Sequence, residues 1–155
     1  MSDLPVFTVA DLKAQPALDV ARFTNDDAVD LGLLTVALIR ERGLSLCVKI
    51  VLHDDIVFQA KLANTGPGND EWLEGKARVV ARFAEPSLLV RRRHEEAGTP
   101  FEDRADVDHE LLKAHGGSMP IRVGGDIVGT ITTSGEPDVI DHDVTSEAVR
   151  RFLAR

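Results

Sequence analysis

Imidazoles and amines are the groups in this sequence best suited to proton transfer or metal binding near neutral pH. There are five histidines: His53, His94, His109, His115 and His142. None sits in a zinc-protease spacing, and His109 to His115 is too wide a step for one helical face. His53 falls in an expected turn, His94 follows Arg91-Arg92-Arg93, and His109 lies on a weakly amphipathic stretch; each reads as a surface residue. His115 and His142 differ because they bracket a glycine-rich segment. A neutral imidazole there can ligate iron or zinc, or serve as a general base. The structural alternatives are a helix-ending His115 favoured by the dipole, and a His142 held by Asp141.

Lys76 is the odd residue in an apolar helical stripe of Trp72, Val79, Val80 and Phe83. Either its stem snorkels to water or it has a lowered pKa or a buried anionic partner. Met119 suits a soft iron ligand or a core position. Ser134-Gly135 lacks the Gly-x-Ser-x-Gly elbow of a strained nucleophile, so a turn is the expectation. The run Gly124-Gly125-Asp126-Ile127-Val128-Gly129 joins two strands instead of opening a helix, which removes the dipole that a phosphate loop needs. Gly66-Pro67-Gly68-Asn69 does precede a helix, but Asp70 and Glu71 would oppose an anion.

The elements that must position these groups follow from pattern. A short helix is expected around Ala10–Ala14 and a short strand over Leu18–Phe23. Thr24 and Asp27 have capping-box spacing ahead of an apolar helix that Gly43 stops, and its all-round apolarity predicts burial on more than one face. Alternation from Leu44 to Leu62 predicts a hairpin whose turn lacks glycine. Helices are expected from an Asn69 cap to Phe83, from a Ser87 cap to Gly98, and over Asp106–Ala114. A second hairpin turns at Gly124-Gly125-Asp126, and Asp138 opens a last helix. Two hairpins with helices predict one mainly antiparallel sheet packed with helices, an α+β domain spanning residues 1–155.

Composition narrows the function classes. At 155 residues, size scaling buries about 69% of the unfolded surface, enough for a core without staples. Basic residues number 18 and acidic ones 26, a net charge of −8 that argues against nucleic acid. Six Phe, one Trp and no Tyr leave little for base stacking. The Arg91–Arg93 run is followed by Glu95-Glu96 and reads as a solvated face. One cysteine, Cys47, rules out an intrachain disulfide. Neither a signal peptide nor a membrane-length apolar run is evident, so no membrane partner and a cytoplasmic location are expected.

Ala114-His115-Gly116-Gly117, Met119-Pro120-Ile121, Val128-Gly129-Thr130-Ile131, Ser134-Gly135 and Asp141-His142 together resemble the haem-degrading-domain family, which includes GlcG-like and HbpS-like proteins. Gly66, Asn69, Trp72 and Lys76 fit the Gly…Asn-x-x-Trp-x-x-x-Lys pattern of its branch of small proteins of unassigned function. The resemblance covers roughly residues 20–155. It implies a profilin-like or PAS-like three-layer arrangement, homo-oligomers and, from the family label, haem binding.

The candidate ligand-binding set is therefore Trp72, Lys76, His115, Met119, Ser134 and His142, with His115 and His142 the metal ligands if haem is bound. Three readings stand together. One is a homo-oligomer binding haem or another planar or anionic small molecule. The second is an enzyme of unknown substrate using Lys76 or His142 as acid/base. The third is a protein–protein interaction module.

Overall fold

A computed structural model describes residues 3–155. Thr24 starts the longest early helix as its spacing predicts: its hydroxyl accepts from the Asp27 N–H at 3.1 Å, and Asp27 Oδ2 accepts from the Thr24 N–H at 2.8 Å. This helix, α2, runs Asn25–Glu41, with a short α1 before it at Val9–Ala14. Gly43, at φ +63°, takes the left-handed conformation that stops α2. The helix buries Ala28, Leu31, Thr35, Leu38 and Ile39, while Val29 and Leu33 stay 37% and 56% exposed. Burial on several faces is thus corrected to burial on one: as an outer-layer helix, α2 has a neighbour only on its sheet side and along its flank.

Among the described residues five strands form one sheet in the order β1-β4-β5-β2-β3. They are β1 Leu18–Val20, β2 Cys47–Leu52, β3 Asp55–Lys61, β4 Ser118–Val123 and β5 Asp126–Ser134. β1 pairs parallel with β4, through Leu18 and Ile121; the other ladders are antiparallel. The β4–β5 turn uses Gly124 and Gly125, both at positive φ. The β2–β3 turn does the same without glycine, at His53 (φ 51°) and Asp54 (φ 63°). Asp70–Phe83 forms α3, Ser87–Glu96 α4 and Asp138–Ala154 α5.

Side-chain alternation splits the sheet into two unlike faces. Leu46, Val48, Ile50, Ile121 and Ile131 face α2 and α5, meeting Leu31, Leu38, Val144 and Val149 in the main core. The other face carries Cys47, Ser118, Thr130, Thr132 and Ser134 and lies under α3. The result is three layers, α–β–α.

Three local expectations change. Asp106–Ala114 forms turns, because Asp108 Oδ1 takes the Glu110 N–H and the Lys113 N–H donates to Gly75 O on α3, not back along its own chain. Ser87 lies inside α4 rather than capping it, and its hydroxyl accepts from the Ser118 N–H at 3.0 Å. Asn69 does not cap α3; its Oδ1 accepts from the Gly66 N–H instead.

Candidate functional site

The inward stripe of α3 is Leu73, Lys76, Val79 and Val80, so the backbone drives a lysine towards the sheet. Lys76 is 2% exposed and its Nζ donates to Thr133 O at 2.9 Å and to Asp141 Oδ2 at 2.8 Å. Asp141 comes from the first turn of α5, where the helix dipole favours a carboxylate. Its other oxygen, Oδ1, accepts from the Glu136 N–H at 3.0 Å. Burial pushes Asp141 up to about 6, against the pull of the Lys76 ammonium. The lysine therefore has the buried anionic partner that its place in an apolar stripe demands.

Around this pair the backbone is drawn tight. Thr133 donates from its hydroxyl to Asp141 O at 2.8 Å, and Thr145 donates to Gly117 O at 2.8 Å. Gly117 sits at φ +135°, and a Cβ there would lie 2.3 Å from Thr133 O and 3.0 Å from Lys76 Nζ. Only glycine allows the chain to pass so close to the ammonium.

His115 arrives from a different direction, at the end of a long segment after α4 anchored by Phe101 and Ala114 on Val79 and Val90. Its ring meets Trp72 edge-on at 5.1 Å, and Lys113 Nζ stands 4.7 Å from the Trp72 ring centre. Asp138 Oδ2 lies 3.9 Å from His115 Nδ1 and accepts from the Gly116 N–H and from Arg91. Burial lowers the His115 pKa, with Arg91 adding to it and Asp138 opposing, which favours the neutral imidazole. The Asp138 charge favours the tautomer with its proton on Nδ1.

Together Asn69, Trp72, Lys76, His115, Ser134, Gly135, Glu136, Asp138 and Asp141 line a pocket of about 260 Å³. Four of the six sequence candidates, Trp72, Lys76, His115 and Ser134, thus meet in one place. Ser134 stands at the end of β5, and Gly135, at φ +143°, turns the chain towards α5.

Met119 and His142 are elsewhere, which corrects the wider set. Met119 is 3% exposed and belongs to the main core. His142 follows Asp141, but successive helical residues point about 100° apart, and its ring faces the N-terminal segment. It is fully buried, with Nε2 2.7 Å from Gln15 Oε1 and Phe7 edge-on at 5.3 Å. Lys76 and His142 do not share a site, and Asp141 holds the lysine rather than the histidine. Sequence reasoning passed over Asp138 and Asp141 as helix-start acids. The signal for Asp141 was indirect: a lysine in an apolar stripe requires a carboxylate somewhere. Among the described residues no group of three or more His, Cys, Asp or Glu side chains is placed to hold a metal ion. Nor is any helix among them long and apolar enough to cross a membrane.

Residues 23–150 match the family model described as haem degrading protein HbpS-like, and the chain belongs to that family. A UPF0303 protein of Streptomyces coelicolor is 43% identical over 148 residues, covering 94% of each chain. Among solved structures, Ybr137w protein superposes with a TM-score of 0.84 at 21% identity, over 94% of this chain and 87% of that one. A PduOC–haem complex superposes with a TM-score of 0.70 at 16% identity, over 83% and 93%. At such identities the structural likeness establishes the fold.

Proposed function

We propose that this HbpS-like family member binds a small planar, oxygen-bearing molecule in the pocket between α3, His115 and the start of α5. The observation that carries the reading is the state of Lys76. An ammonium has three N–H donors, and the protein uses two, at Thr133 O and Asp141. The third is what Lys76, as a lining residue, offers to a ligand oxygen. Trp72 supplies a flat apolar surface, and neutral His115 supplies a lone pair. Desolvated, preset donors of this kind orient a ligand at little reorganisation cost.

Haem is the finer form of this reading. His115 is the one imidazole among the candidates that reaches the pocket, so it would hold the iron, and Trp72 would lie against the macrocycle. A cavity of about 260 Å³ encloses one edge of such a ring system rather than all of it. Bound iron would supply redox chemistry, while the protein's own part is to present the neutral His115 and the Lys76 donor. Assembly with further copies belongs to the same reading, supported by exposed Leu33 on α2 and Ile56 (53% exposed) on the edge strand β3. An enzyme reading passes from His142 to His115, whose neighbour Asp138 is placed to stabilise a protonated ring.

The test is a hemin titration followed by the Soret band, paired with native mass spectrometry of the purified protein. A Soret shift, or a bound small molecule, that disappears in His115→Ala and Trp72→Ala is the expected result. No bound molecule and no hemin response, or a response unchanged in both variants, overturns the reading.

A further inference from the structure

A second cavity, lined in part by Gln15, opens at the β1 edge of the sheet. β1 spans only Leu18–Val20 and pairs with Ile121–Val123, so Ser118–Pro120 of β4 run on past its end. α1 and the α3–α4 turn close over the gap and leave a cavity of about 250 Å³. Its walls are apolar: Leu12, Leu18, Leu89, Met119, Pro86 and Pro120.

The rim is charged, and unevenly so. Arg93 is neutralised by two hydrogen bonds to Glu85, at 2.7 and 2.6 Å. Arg122 donates only to backbone oxygens, at Gly125 and Ala84, and Lys13 makes no ion pair. Among the described residues neither cation has a carboxylate within 4 Å, in a chain with a net charge of −8. An apolar cavity edged by two uncompensated cations is complementary to an amphipathic anion.

We propose that this cavity binds a small monocarboxylate with an aliphatic or aromatic tail. The tail packs on Leu12, Leu89 and Met119, and the carboxylate lies between Lys13 and Arg122. A cavity of about 250 Å³ suits a short chain or a single ring as the tail. The site shares no lining residue with the Lys76 pocket and does not depend on the function proposed there.

Each pocket carries its own reporter, because the chain has one tryptophan, Trp72, and two methionines, Met1 and Met119. The experiment titrates hexanoate and benzoate, with hexanamide as the uncharged control, against the full chain labelled at its methionine methyls. The expected result is a saturable shift of the Met119 methyl with hexanoate while Trp72 fluorescence stays constant. Lys13→Met and Arg122→Gln should each weaken hexanoate roughly ten-fold and leave hexanamide unaffected. Lys13 is exposed, so its variant remains informative even where Arg122→Gln disturbs the Ala84 turn. No Met119 shift, equal affinity for hexanoate and hexanamide, or hexanoate binding retained in both variants overturns the proposal. Binding lost instead in Trp72→Ala assigns the carboxylate to the other pocket and also overturns it.

Discussion

Asp141 and His142 are neighbours on one helical turn, both fully buried, and they solve burial in opposite ways. Asp141 faces the Lys76 pocket with a charge partner and a backbone N–H donor. His142 faces α1 with a single bond to Gln15, and among the described residues its Nδ1 has no partner. One side of α5 therefore holds a hydrogen-bonded ion pair. The other holds a neutral ring with an unmet polar atom, stable only while it stays uncharged.

The largest effect should come from breaking the ionic side. Lys76→Met leaves Asp141 buried without its cation, and urea denaturation at pH 7 should show a loss of about 3–5 kcal/mol. Adding Asp141→Leu should recover most of it, because removing both charges is far less costly than removing one. A loss under about 1 kcal/mol would show that the pair contributes little beyond packing.

Next comes pH, where the two neighbours act with opposite signs. Burial lowers His142 from 6.5 to about 4, so the native state binds fewer protons there than the unfolded chain. Its contribution is full above 6.5 and is lost as pH falls to about 4, roughly 3 kcal/mol in all. Asp138 raises this value and Arg92 lowers it, both less than burial does. Asp141 is raised from 3.8 to about 6, so its contribution is full below 3.8 and is lost as pH rises through about 6. The two slopes offset each other between about pH 4 and 6. In His142→Leu stability should fall as pH rises across that window, and in Asp141→Asn it should fall as pH drops. Parallel profiles for the two variants would refute the opposition.

The smallest effect isolates the incomplete side. Gln15→Ala removes the only hydrogen-bond partner of the His142 ring among the described residues and should cost about 1–2 kcal/mol by thermal or urea unfolding. No change would mean that Phe7 packing, not the hydrogen bond, holds the ring.

Much of the scaffold could be read from sequence because its signals are local. The Thr24–Asp27 box, Gly43 and the Gly124-Gly125 turn each act within a few residues, and alternation located both hairpins. The expected helix over Asp106–Ala114 failed because the Lys113 N–H and the Asp106 and Leu111 carbonyls bond to α3, which no local pattern records. The site was half legible. Lys76 stood out by type, and the family-typical spacing tied Trp72 to it. Asp141, at 65 residues' distance from Lys76, and Gln15, at 127 from His142, are partners that only the folded sheet supplies. Met119 fits a soft ligand by chemistry, but its strand register sends it to the main core.

The strand order also sets a timetable for synthesis. β1, the first of these five strands in chain order, pairs among the described residues only with β4, so Leu18 has no neighbour in the sheet until Ile121 has emerged. Lys76 likewise waits for α5 before it has a carboxylate. Until then an elongating chain carries a solvated ammonium and an unpaired N-terminal strand, while the β2–β3 hairpin and α2 are complete. Long-range closures of this kind slow folding. Both cavities are therefore formed last, when the C-terminal third of the chain closes over what preceded it.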